Sequence, residues 1–327
     1  MTNKVLNWGL LSTARINEAL ITPLNTSKRN RLAAVASRSQ STADAYAHQW
    51  NIPRALGSYE ALLADPDIDV IYNPLPNHLH AEWTIKALRA GKHVLCEKPL
   101  ALTLAEVDDI AAAAHETGKV AAEAFMYRHH PQTLKVKEIV ESGQLGSLRI
   151  IRGAFSFTLT REGDIRLQKE TGGGSIWDVG CYPISYARYI AGGNPQEVYG
   201  AQILSDEGVD LVFVGQMHFS DEVNAQFNCG FKLPSEQFME VVGTEGVLRI
   251  PLPFKPNRKE EIYLTRDGNT EKIKIPGQEL YIGEVEDMYD AVVAGSAPRV
   301  SLADSRGNTA TILALLESAR TGKPVSL

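Results

Sequence analysis

The sequence lacks the features that mark disulfide-bonded, zinc-binding and membrane-spanning proteins. It has three cysteines, Cys96, Cys181 and Cys229, and no C-x-x-C pair, so neither a disulfide framework nor a metal site is indicated. No apolar run approaches the roughly 18 residues of a transmembrane helix. The first residues also lack the apolar core and cleavage site of a signal peptide. We expect a cytoplasmic protein in a reducing compartment, with no metal and no membrane contact.

The sequence also has no excess of basic residues. Its 33 lysines and arginines stand against 39 aspartates and glutamates, which gives a net charge of −6. The densest basic stretch, residues 255–259, is followed directly by Glu260 and Glu261. An acidic surface without basic runs repels a phosphate backbone, so nucleic acid is not an expected partner.

The length and the apolar pattern are those of a globular protein with two domains. The 327 residues are 44% hydrophobic, and roughly 150 residues per domain is typical. Buried strands are expected at residues 5–11, 32–37, 70–73 and 93–96. The segments between them are helical in pattern, and one helix is bounded by a capping box, Thr103 and Glu106, and by Gly118. This alternation predicts an α/β dinucleotide-binding (Rossmann) domain with a parallel, doubly wound sheet at residues 1–123.

Residues 124–327 show a different pattern, because one helix, Pro131–Ser142, is followed by long strands without intervening helices. Residues 212–219 and 223–231 alternate apolar and polar side chains with a period of two. We expect an α+β domain with a large, mainly antiparallel sheet, whose polar face is either exposed to solvent or a contact between subunits. A final helix is expected at Ser301–Thr321, with three residues on its buried side: Leu313, Leu316 and Ala319.

The turn after the first strand, Gly9–Asn17, is the candidate site for a dinucleotide pyrophosphate. A dinucleotide fold needs small residues there, so that backbone N–H groups and a helix N-terminus can approach the phosphates. Ser12, Ala14 and Asn17 stand where the pattern G-x-G-x-x-G has glycines, so the fingerprint is degraded and a purely structural turn is the alternative. The residues expected to contact the cofactor here are Ser12, Thr13, Ala14, Arg15 and Ile16.

The end of the second strand indicates which cofactor is bound. An NAD site places an acidic residue against the ribose 2′-hydroxyl, but here the chain reads Ala36-Ser37-Arg38-Ser39 and has no acid before Asp44. Arg38 and the hydroxyl groups of Ser37 and Ser39 would bind a 2′-phosphate, which a carboxylate would repel. The sequence therefore favours NADP over NAD, the alternative being a solvated surface arginine at Arg38.

Two further segments, residues 74–80 and 94–99, follow or end predicted strands. In an open parallel sheet, ligands bind beyond the carboxyl ends of the strands, so both segments should face the ligand. We expect Lys98 to be extended before Pro99 and partly buried, with its pKa lowered so that it can exchange a proton with a substrate hydroxyl. The alternatives are an exposed strand-end charge for Lys98 and helix capping for His80. The cofactor contacts expected here are Pro74, Leu75, Glu97 and Lys98.

The motif GGGSIWDVGCY in the second domain is a candidate for substrate binding. Its three glycines would let the backbone come close to something planar or bulky. If the segment is helical, Asp178, Tyr182 and Tyr186 recur at i, i+4 and i+8 and share one face. Asp178 would alternatively form a capping box with Ser175. Arg166, a few residues upstream, is a candidate for contacting the cofactor or the substrate, or a surface residue.

These motifs together resemble the Gfo/Idh/MocA family of NAD(P)-dependent sugar and cyclitol oxidoreductases, over essentially the whole chain. The most specific segments are PNHLHAEWTIKALRAGKHVLCEKPLALT and GGGSIWDVGCYPISYARYI. Within the family, the chain is similar to the branch of dihydrodiol dehydrogenase, NADP-dependent D-xylose dehydrogenase and glucose-fructose oxidoreductase. The segment AEAFMYRHHPQ suggests this branch, as does Tyr182 where inositol dehydrogenases carry histidine.

The resemblance implies a role for each of these residues. Lys98, in the E-K-P motif, would donate or accept the proton, while Asp178 would orient the reacting hydroxyl and Tyr182 would assist proton transfer. Asn77 and His80 would lie near the nicotinamide. The substrate contacts expected are Lys98, Tyr127, Asp178, Tyr182 and Tyr186. The family's open-faced sheet also implies a homodimer or a larger homo-oligomer.

We therefore expect an NADP-dependent oxidoreductase that transfers a hydride between nicotinamide and a ring CH–OH or C=O group of a sugar-like substrate. One alternative is a glycosidase that uses tightly bound nicotinamide for transient oxidation, without net change in the cofactor. Another is a non-catalytic NADP-sensing protein, against which the intact Lys98, Asp178 and Tyr182 argue. The sequence leaves the sugar open, nucleotide-linked sugars included.

Overall fold

The computed structural model describes residues 4–161, 163–220 and 222–327. The chain divides into two compact units, one made of Met1–His129 with Tyr281–Arg306 and the other of His130–Leu280 with Gly307–Leu327. The sequence pattern gives no signal that Tyr281–Arg306 returns to the first unit. The functional division into residues 1–123 and 124–327 stays a prediction.

Helices connect the strands of both units. In chain order they are α1 (Asn17–Thr26), α2 (Gln40–Trp50), α3 (Tyr59–Ala64), α4 (His80–Arg89), α5 (Leu104–Thr117), α6 (Pro131–Glu141), α7 (Cys181–Ala191), α8 (Ile282–Tyr289) and α9 (Leu302–Thr321). The capping box predicted for α5 is confirmed, because Thr103 Oγ1 accepts from the Glu106 N–H and Glu106 Oε2 accepts from the Thr103 N–H. Gly118 ends that helix with a φ of 63°.

The first unit is a Rossmann domain, as predicted. Its strands are β1 (Leu6–Leu11), β2 (Asn30–Ala36), β3 (Arg54–Leu56), β4 (Val70–Asn73), β5 (His93–Glu97) and β6 (Ala121–Ala124). All of them pair in parallel, in the order β3-β2-β1-β4-β5-β6 of a doubly wound dinucleotide-binding sheet. The sequence pattern finds four of the strands and misses β3, which has three residues, and β6, which reads Ala-Ala-Glu-Ala.

The segment Tyr281–Arg306 completes the first unit with helix α8. Val285 and Met288 of α8 are buried in the same apolar core as Trp8 of β1. Arg29, just before β2, donates to a carboxylate of α8, Glu286, and stacks over the ring of Tyr289 with its guanidinium carbon 4.4 Å from the ring centroid. The late segment is therefore fixed to the dinucleotide-binding sheet by apolar burial and by charge.

The second unit is built on a nine-stranded sheet in the order β14-β13-β12-β11-β7-β10-β9-β8-β15. Its strands are β7 (Leu148–Thr158), β8 (Glu197–Leu204), β9 (Asp210–Ser220), β10 (Val223–Gly230), β11 (Lys232–Gly243), β12 (Val247–Ile250), β13 (Glu260–Arg266), β14 (Asn269–Ile275) and β15 (Val325–Ser326). Strands β7 and β10 pair in parallel, and the other described pairs are antiparallel. The predicted mainly antiparallel sheet is confirmed.

The alternation predicted for β9 and β10 is also confirmed. Phe213 and Met217 of β9 and Phe227 of β10 are buried on one face, whereas Gln216 and Gln226, which pair across the two strands, are exposed on the other. One face of the sheet therefore packs against the helices of its unit, and the other carries polar groups.

The buried side predicted for α9 is wrong by one position. Leu313, Leu316 and Ala319 are only half-buried, and the residues buried there are Thr311, Ile312, Leu315 and Ser318. The buried side carries polar groups: Ser318 Oγ accepts from the Gly200 N–H at 3.0 Å and donates to the Lys323 carbonyl at 2.6 Å. A pattern based on apolar residues alone cannot detect such a face. In the described part of the chain, no helix combines the length and hydropathy needed to cross a membrane.

Candidate functional site

The residues that follow β5, Glu97 to Leu100, form what we call the Lys98 loop. The Tyr72 hydroxyl, on the neighbouring strand β4, donates to Glu97 Oε1 at 2.5 Å. Glu97 Oε2 accepts from the Lys98 N–H at 3.3 Å, and the peptide bond between Lys98 and Pro99 is cis. Tyr72 is fully buried, and burial together with the Glu97 carboxylate raises its pKa well above the usual value. The Tyr72 phenol therefore stays protonated and donates this hydrogen bond to the Glu97 carboxylate.

The far end of the Lys98 loop is held by buried groups from two other elements. The Leu100 N–H donates to Glu123 Oε1 of β6 at 2.9 Å. The ring of His80, at the start of α4, lies with Nδ1 2.7 Å from the Pro99 carbonyl oxygen. Since β4 and β6 flank β5 in the sheet, the loop is fixed from both sides, and Lys98 is partly buried on a rigid segment.

His80 joins the Lys98 loop to the segment that follows β4. Its Nε2 lies 2.6 Å from the Leu75 carbonyl oxygen, so both ring nitrogens face backbone carbonyls. Burial lowers the pKa of His80 to about 4, while the two carbonyls act in the opposite direction. The ring does not cap α4, and its two nitrogens bridge the Lys98 loop and the segment after β4.

The sequence reasoning missed Asn73 as a residue that fixes the same segment. Its buried side-chain amide donates to the His80 carbonyl and to Thr84 Oγ1, each at 3.1 Å, and its Oδ1 accepts from the Leu75 N–H at 3.3 Å. An asparagine at the end of an apolar strand is the signal that could have found it. The predicted cofactor contacts on this segment differ in burial: Pro74 and Leu75 are buried, and Asn77 is partly exposed at the start of a single helical turn.

The turn after β1, the candidate pyrophosphate site, is shaped by Ser12 and Asn17. Ser12 has a φ of 118°, in the region that favours glycine, and it stands where the family pattern has one. The buried side chain of Asn17, the first residue of α1, donates to the Ser12 carbonyl at 2.8 Å. The remaining predicted contacts, Thr13, Ala14, Arg15 and Ile16, lie on the partly or fully exposed turn before α1. The turn is therefore kept although Ser12 and Asn17 stand in place of glycines. Its residues fit a dinucleotide.

The end of β2 fits the 2′-phosphate of NADP. Ser37 is buried and its N–H donates to the Leu56 carbonyl at 3.0 Å, while Arg38 is exposed. Ser39 Oγ caps helix α2 by accepting from the Thr42 N–H at 3.3 Å, so an arginine and a capped helix N-terminus adjoin each other. Both features stabilise a phosphate.

In the second unit, Asp178 pairs with Arg166. The distance from Arg166 Nε to Asp178 Oδ2 is 2.8 Å, and Arg166 Nη1 lies 3.3 Å from Asp164 Oδ1. The Asp178 charge raises the pKa of Arg166 further above its usual value. The guanidinium, predicted as a cofactor contact, is thus placed against the carboxylate predicted to bind the substrate.

The glycines before Asp178 let the chain approach itself. The Gly174 N–H donates to the Arg166 carbonyl at 2.9 Å, and a Cβ at Gly173 would collide with that same carbonyl. The capping box between Ser175 and Asp178 is not formed, because Ser175 Oγ donates to Asp210 Oδ2 instead. Gly173 and Gly174 therefore allow the close approach to the Arg166 backbone that places Arg166 beside Asp178.

A π-helical turn, Ile176–Gly180, leads directly into α7, so the regular i, i+4, i+8 stacking expected from Asp178 is not kept. Tyr182 and Tyr186 are buried in an aromatic cluster with Phe155 and Phe254, whose ring centroids lie 5.3 and 5.5 Å from that of Tyr182. The fifth predicted substrate contact, Tyr127 of the first unit, is fully buried with its ring edge-on to Phe125. Phe155 and Phe254 gave no signal in the sequence beyond apolarity.

Comparisons with known proteins agree with this architecture. The family model of GFO_IDH_MocA, described as an oxidoreductase family with an NAD-binding Rossmann fold, matches residues 6–125. The GFO/IDH/MocA C-terminal domain matches residues 133–249. D-xylose 1-dehydrogenase (NADP(+)) 2 from Haloferax volcanii is 38% identical over 324 residues, which cover 98% of this chain and 99% of the relative.

Two solved structures are similar over nearly the whole chain. Aldose-aldose oxidoreductase from Caulobacter crescentus, complexed with glycerol, has a TM-score of 0.92 at 26% identity and covers 99% of this chain and 100% of its own. A 3-ketoreductase from Actinomadura kijaniata, in complex with NADP and TDP-benzene, has a TM-score of 0.90 at 29% identity, with 96% and 98% covered. Together with the Rossmann order of the first sheet and the E-K-P motif at the end of β5, these matches confirm the resemblance. The chain belongs to the Gfo/Idh/MocA family and is an NAD(P)-dependent oxidoreductase that acts on CH–OH groups.

Proposed function

We propose that the protein is an NADP-dependent oxidoreductase that interconverts a ring CH–OH group and the corresponding carbonyl of a sugar or sugar-like molecule. The observation that carries this proposal is the Lys98 loop, which holds a partly buried lysine at the carboxyl end of β5 by contacts from Tyr72, His80 and Glu123. A lysine on a fixed backbone at a strand end is suited to exchange a proton with a bound hydroxyl group. The relatives include a D-xylose dehydrogenase and a reductase of a dTDP-linked deoxysugar, which supports a sugar-like substrate.

We assign cofactor binding to residues 1–123 and substrate binding to residues 124–327. The Ser12 turn and the α1 N-terminus would hold the pyrophosphate, and Ser37 and Arg38 the 2′-phosphate. Asn77 and the segment before it would contact the nicotinamide, with His80 holding their backbone from behind. NADP, when bound, supplies or accepts the hydride.

The residues of this chain would handle the proton and the orientation of the substrate. In oxidation, the Lys98 amine accepts the hydroxyl proton as the carbonyl forms, and in reduction it returns that proton. Asp178, paired with Arg166, accepts a hydrogen bond from the reacting hydroxyl and fixes its direction. Tyr182 assists from the aromatic cluster, in which Phe155 and Tyr186 would present apolar surface to a ring substrate.

A substrate panel tests this proposal. Aldoses including D-xylose, cyclic ketones and nucleotide sugars would be incubated with NADP and NAD in parallel, in both directions, and followed at the nicotinamide absorbance. We expect turnover with at least one sugar and a preference for NADP. A clear preference for NAD would contradict the assignment of Arg38, and sugar cleavage without net change in the cofactor would indicate a hydrolase.

We further propose a cytoplasmic homodimer or larger homo-oligomer formed through the polar face of the second sheet. This face presents three exposed apolar side chains on β8 and β9, Tyr199, Ile203 and Val214, among its polar groups. Sedimentation equilibrium measures the assembly, and Val214→Glu should shift it toward the monomer. A wild-type monomer at micromolar concentration would contradict the proposal.

A further inference from the structure

The second unit contains a buried carboxylate, Asp210, that takes no part in the proposed reaction described for Lys98, Asp178 and Tyr182. It is the first residue of β9 and is 3% exposed. Its Oδ2 accepts from the Ser175 hydroxyl at 2.5 Å and from the Ile176 N–H at 2.8 Å. A Cβ on Gly174 would collide with its Oδ1, so the backbone before the helix is pressed against the same carboxylate.

These contacts make Asp210 the cap of the helix that begins with the π-helical turn at Ile176 and continues as α7. The first N–H groups of a helix have no partner within the helix. Ser175 stands at the N-cap position, but its side chain makes no capping hydrogen bond to this helix. A carboxylate at a helix N-terminus supplies the missing acceptor and also interacts favourably with the helix dipole. The cap comes from a distant strand, so it fixes the helix relative to the sheet.

The capped helix carries the groups that the proposed function assigns to the substrate. Asp178 lies in the first turn after the cap, two residues beyond Ile176, and Tyr182 follows in α7. The Gly174 N–H also binds the Arg166 carbonyl, and Arg166 in turn holds Asp178. One carboxylate thus fixes the start of the helix and, through the glycine segment, the arginine that pairs with Asp178.

We propose that Asp210 is a positioning residue of the reaction, which sets the place of Asp178 and Tyr182 without touching the substrate. This inference rests on the proposed function, in which those two residues bind the reacting group. Misplacement of a substrate-orienting group by about 1 Å costs up to about 100-fold in rate. Loss of the cap should therefore lower kcat and leave cofactor binding, which is assigned to the other unit, unchanged.

The test compares three variants of the full-length protein with the wild type. Asp210→Ala removes both acceptors, Asp210→Asn keeps a carbonyl oxygen for the Ile176 N–H, and Ser175→Ala removes one donor. The matched control is Ser318→Ala, which removes an equally buried hydroxyl with two hydrogen bonds in the same unit. The measurements are kcat and KM for NADP-dependent oxidation of D-xylose or the best substrate of the panel, the Kd for NADPH, and amide hydrogen exchange of residues 172–182.

We expect Asp210→Ala to lower kcat about 10- to 100-fold with the NADPH Kd within about two-fold, and to accelerate exchange in residues 172–182. Asp210→Asn should restore kcat to within about three-fold of the wild type, because it supplies the acceptor again. Ser175→Ala should fall between them, and Ser318→Ala should change neither kcat nor that exchange.

Unchanged kcat in Asp210→Ala, or an equal loss in Ser318→Ala, would overturn the positioning role. Loss of NADPH binding in Asp210→Ala would also overturn it, because the effect would then be general unfolding. If Asp210→Ala does not fold, Ser175→Ala and Asp210→Asn decide by the same criteria. Lys98→Ala separates this inference from the proposed function. Turnover that survives in Lys98→Ala contradicts the function. Loss of turnover in Lys98→Ala, together with normal kcat in the Asp210 variants, contradicts only the inference.

Discussion

The Lys98 loop and the helix that carries Asp178 are fixed in different ways. The loop is held by Tyr72, Glu123 and the ring of His80, which belong to the strands and the helix next to β5. The helix is held from far along the chain by Asp210. Parallel strands bring their carboxyl ends together by topology, so a motif at a strand end indicates a site. No such rule places a helix that packs on a mixed sheet, so the position of Asp178 depends on long-range contacts.

The two regions also differ in charge. The Lys98 loop has a carboxylate, Glu97, that accepts from a neutral phenol. Around the helix, Asp178 and Asp164 share the guanidinium of Arg166. Changes in the first region should therefore affect cofactor use or the proton exchange at Lys98, and changes in the second should affect the handling of the reacting hydroxyl without changing cofactor binding.

Among the variants that test the difference between the two regions, Asp178→Asn should have the largest effect on kcat. The neutral amide cannot accept the hydroxyl hydrogen bond with the strength of a carboxylate, and kcat should fall about 100-fold or more. The Kd for NADPH, measured by fluorescence titration, should stay within about two-fold. Asp164→Asn is the control on the same arginine, and an equal loss there would show that the pair only supports the local fold.

A smaller effect is expected for Arg38→Ala, which removes the predicted 2′-phosphate contact. The KM for NADP should rise on the order of 10-fold while the KM for NAD stays unchanged. Arg31→Ala, on the opposite end of β2, removes an exposed arginine bonded to Asn7 and should leave both constants unchanged. A parallel rise in the KM values for both cofactors would contradict a phosphate-specific role.

His80→Asn should mainly change stability. The neutral ring donates its one N–H to one of the two carbonyls, of Leu75 and Pro99, and the shorter asparagine side chain loses this buried hydrogen bond and the packing of the ring between the two loops. The free energy of unfolding, measured with urea, should fall by about 1–3 kcal/mol, and kcat by a few-fold because the Lys98 loop loses a support. A large loss of NADPH affinity with unchanged stability would instead indicate that His80 contacts the cofactor directly.

The smallest effect concerns the pH dependence of stability. Burial raises the folded-state pKa of Asp210 to about 6, above an unfolded value of about 3.9. The folded protein therefore binds this proton more tightly, so the contribution of Asp210 to stability decreases as the pH rises from about 4 to about 6. The neighbouring Cys229 thiol, whose pKa is also raised by burial, does not titrate in this window.

Urea unfolding of wild type and Asp210→Asn at pH 4.5 and 7.5 measures this difference. Asn cannot titrate, so its stability relative to the wild type should be greater at pH 7.5 than at pH 4.5. A relative stability that is the same at both pH values would place the Asp210 pKa near its ordinary range.

The sequence predicts the first unit better than the second. The dinucleotide sheet, the α5 capping box and the place of Lys98 at the end of β5 could all be predicted, because strand ends and caps are local signals. The short strand β3 and the alanine-rich β6 carry too little pattern to be detected. The return of Tyr281–Arg306 to the first unit depends on a late helix burying apolar residues in an earlier core, which no local signal shows.

In the second unit the sequence identifies Asp178 and Tyr182 as candidates but not what holds them. The three glycines predict a close approach of the backbone to something planar or bulky, and in the structure Gly173 lies against the Arg166 backbone. Asp210 reads as an ordinary polar residue before a strand, and its burial is decided by the tertiary fold. The buried side of α9 was missed by one position because polar Ser318 belongs to it.

Lys98, as the group that exchanges the proton, is the residue on which the proposed reaction depends most. The most direct measurement compares Lys98→Ala with Lys86→Ala, an exposed lysine of α4 paired with Glu82, in NADP-dependent turnover and in NADPH binding. We predict that Lys98→Ala lowers kcat by about 100-fold or more with the NADPH Kd within a few-fold, while Lys86→Ala behaves as the wild type. Wild-type turnover in Lys98→Ala would contradict the role of Lys98 in proton exchange and the proposed reaction with it.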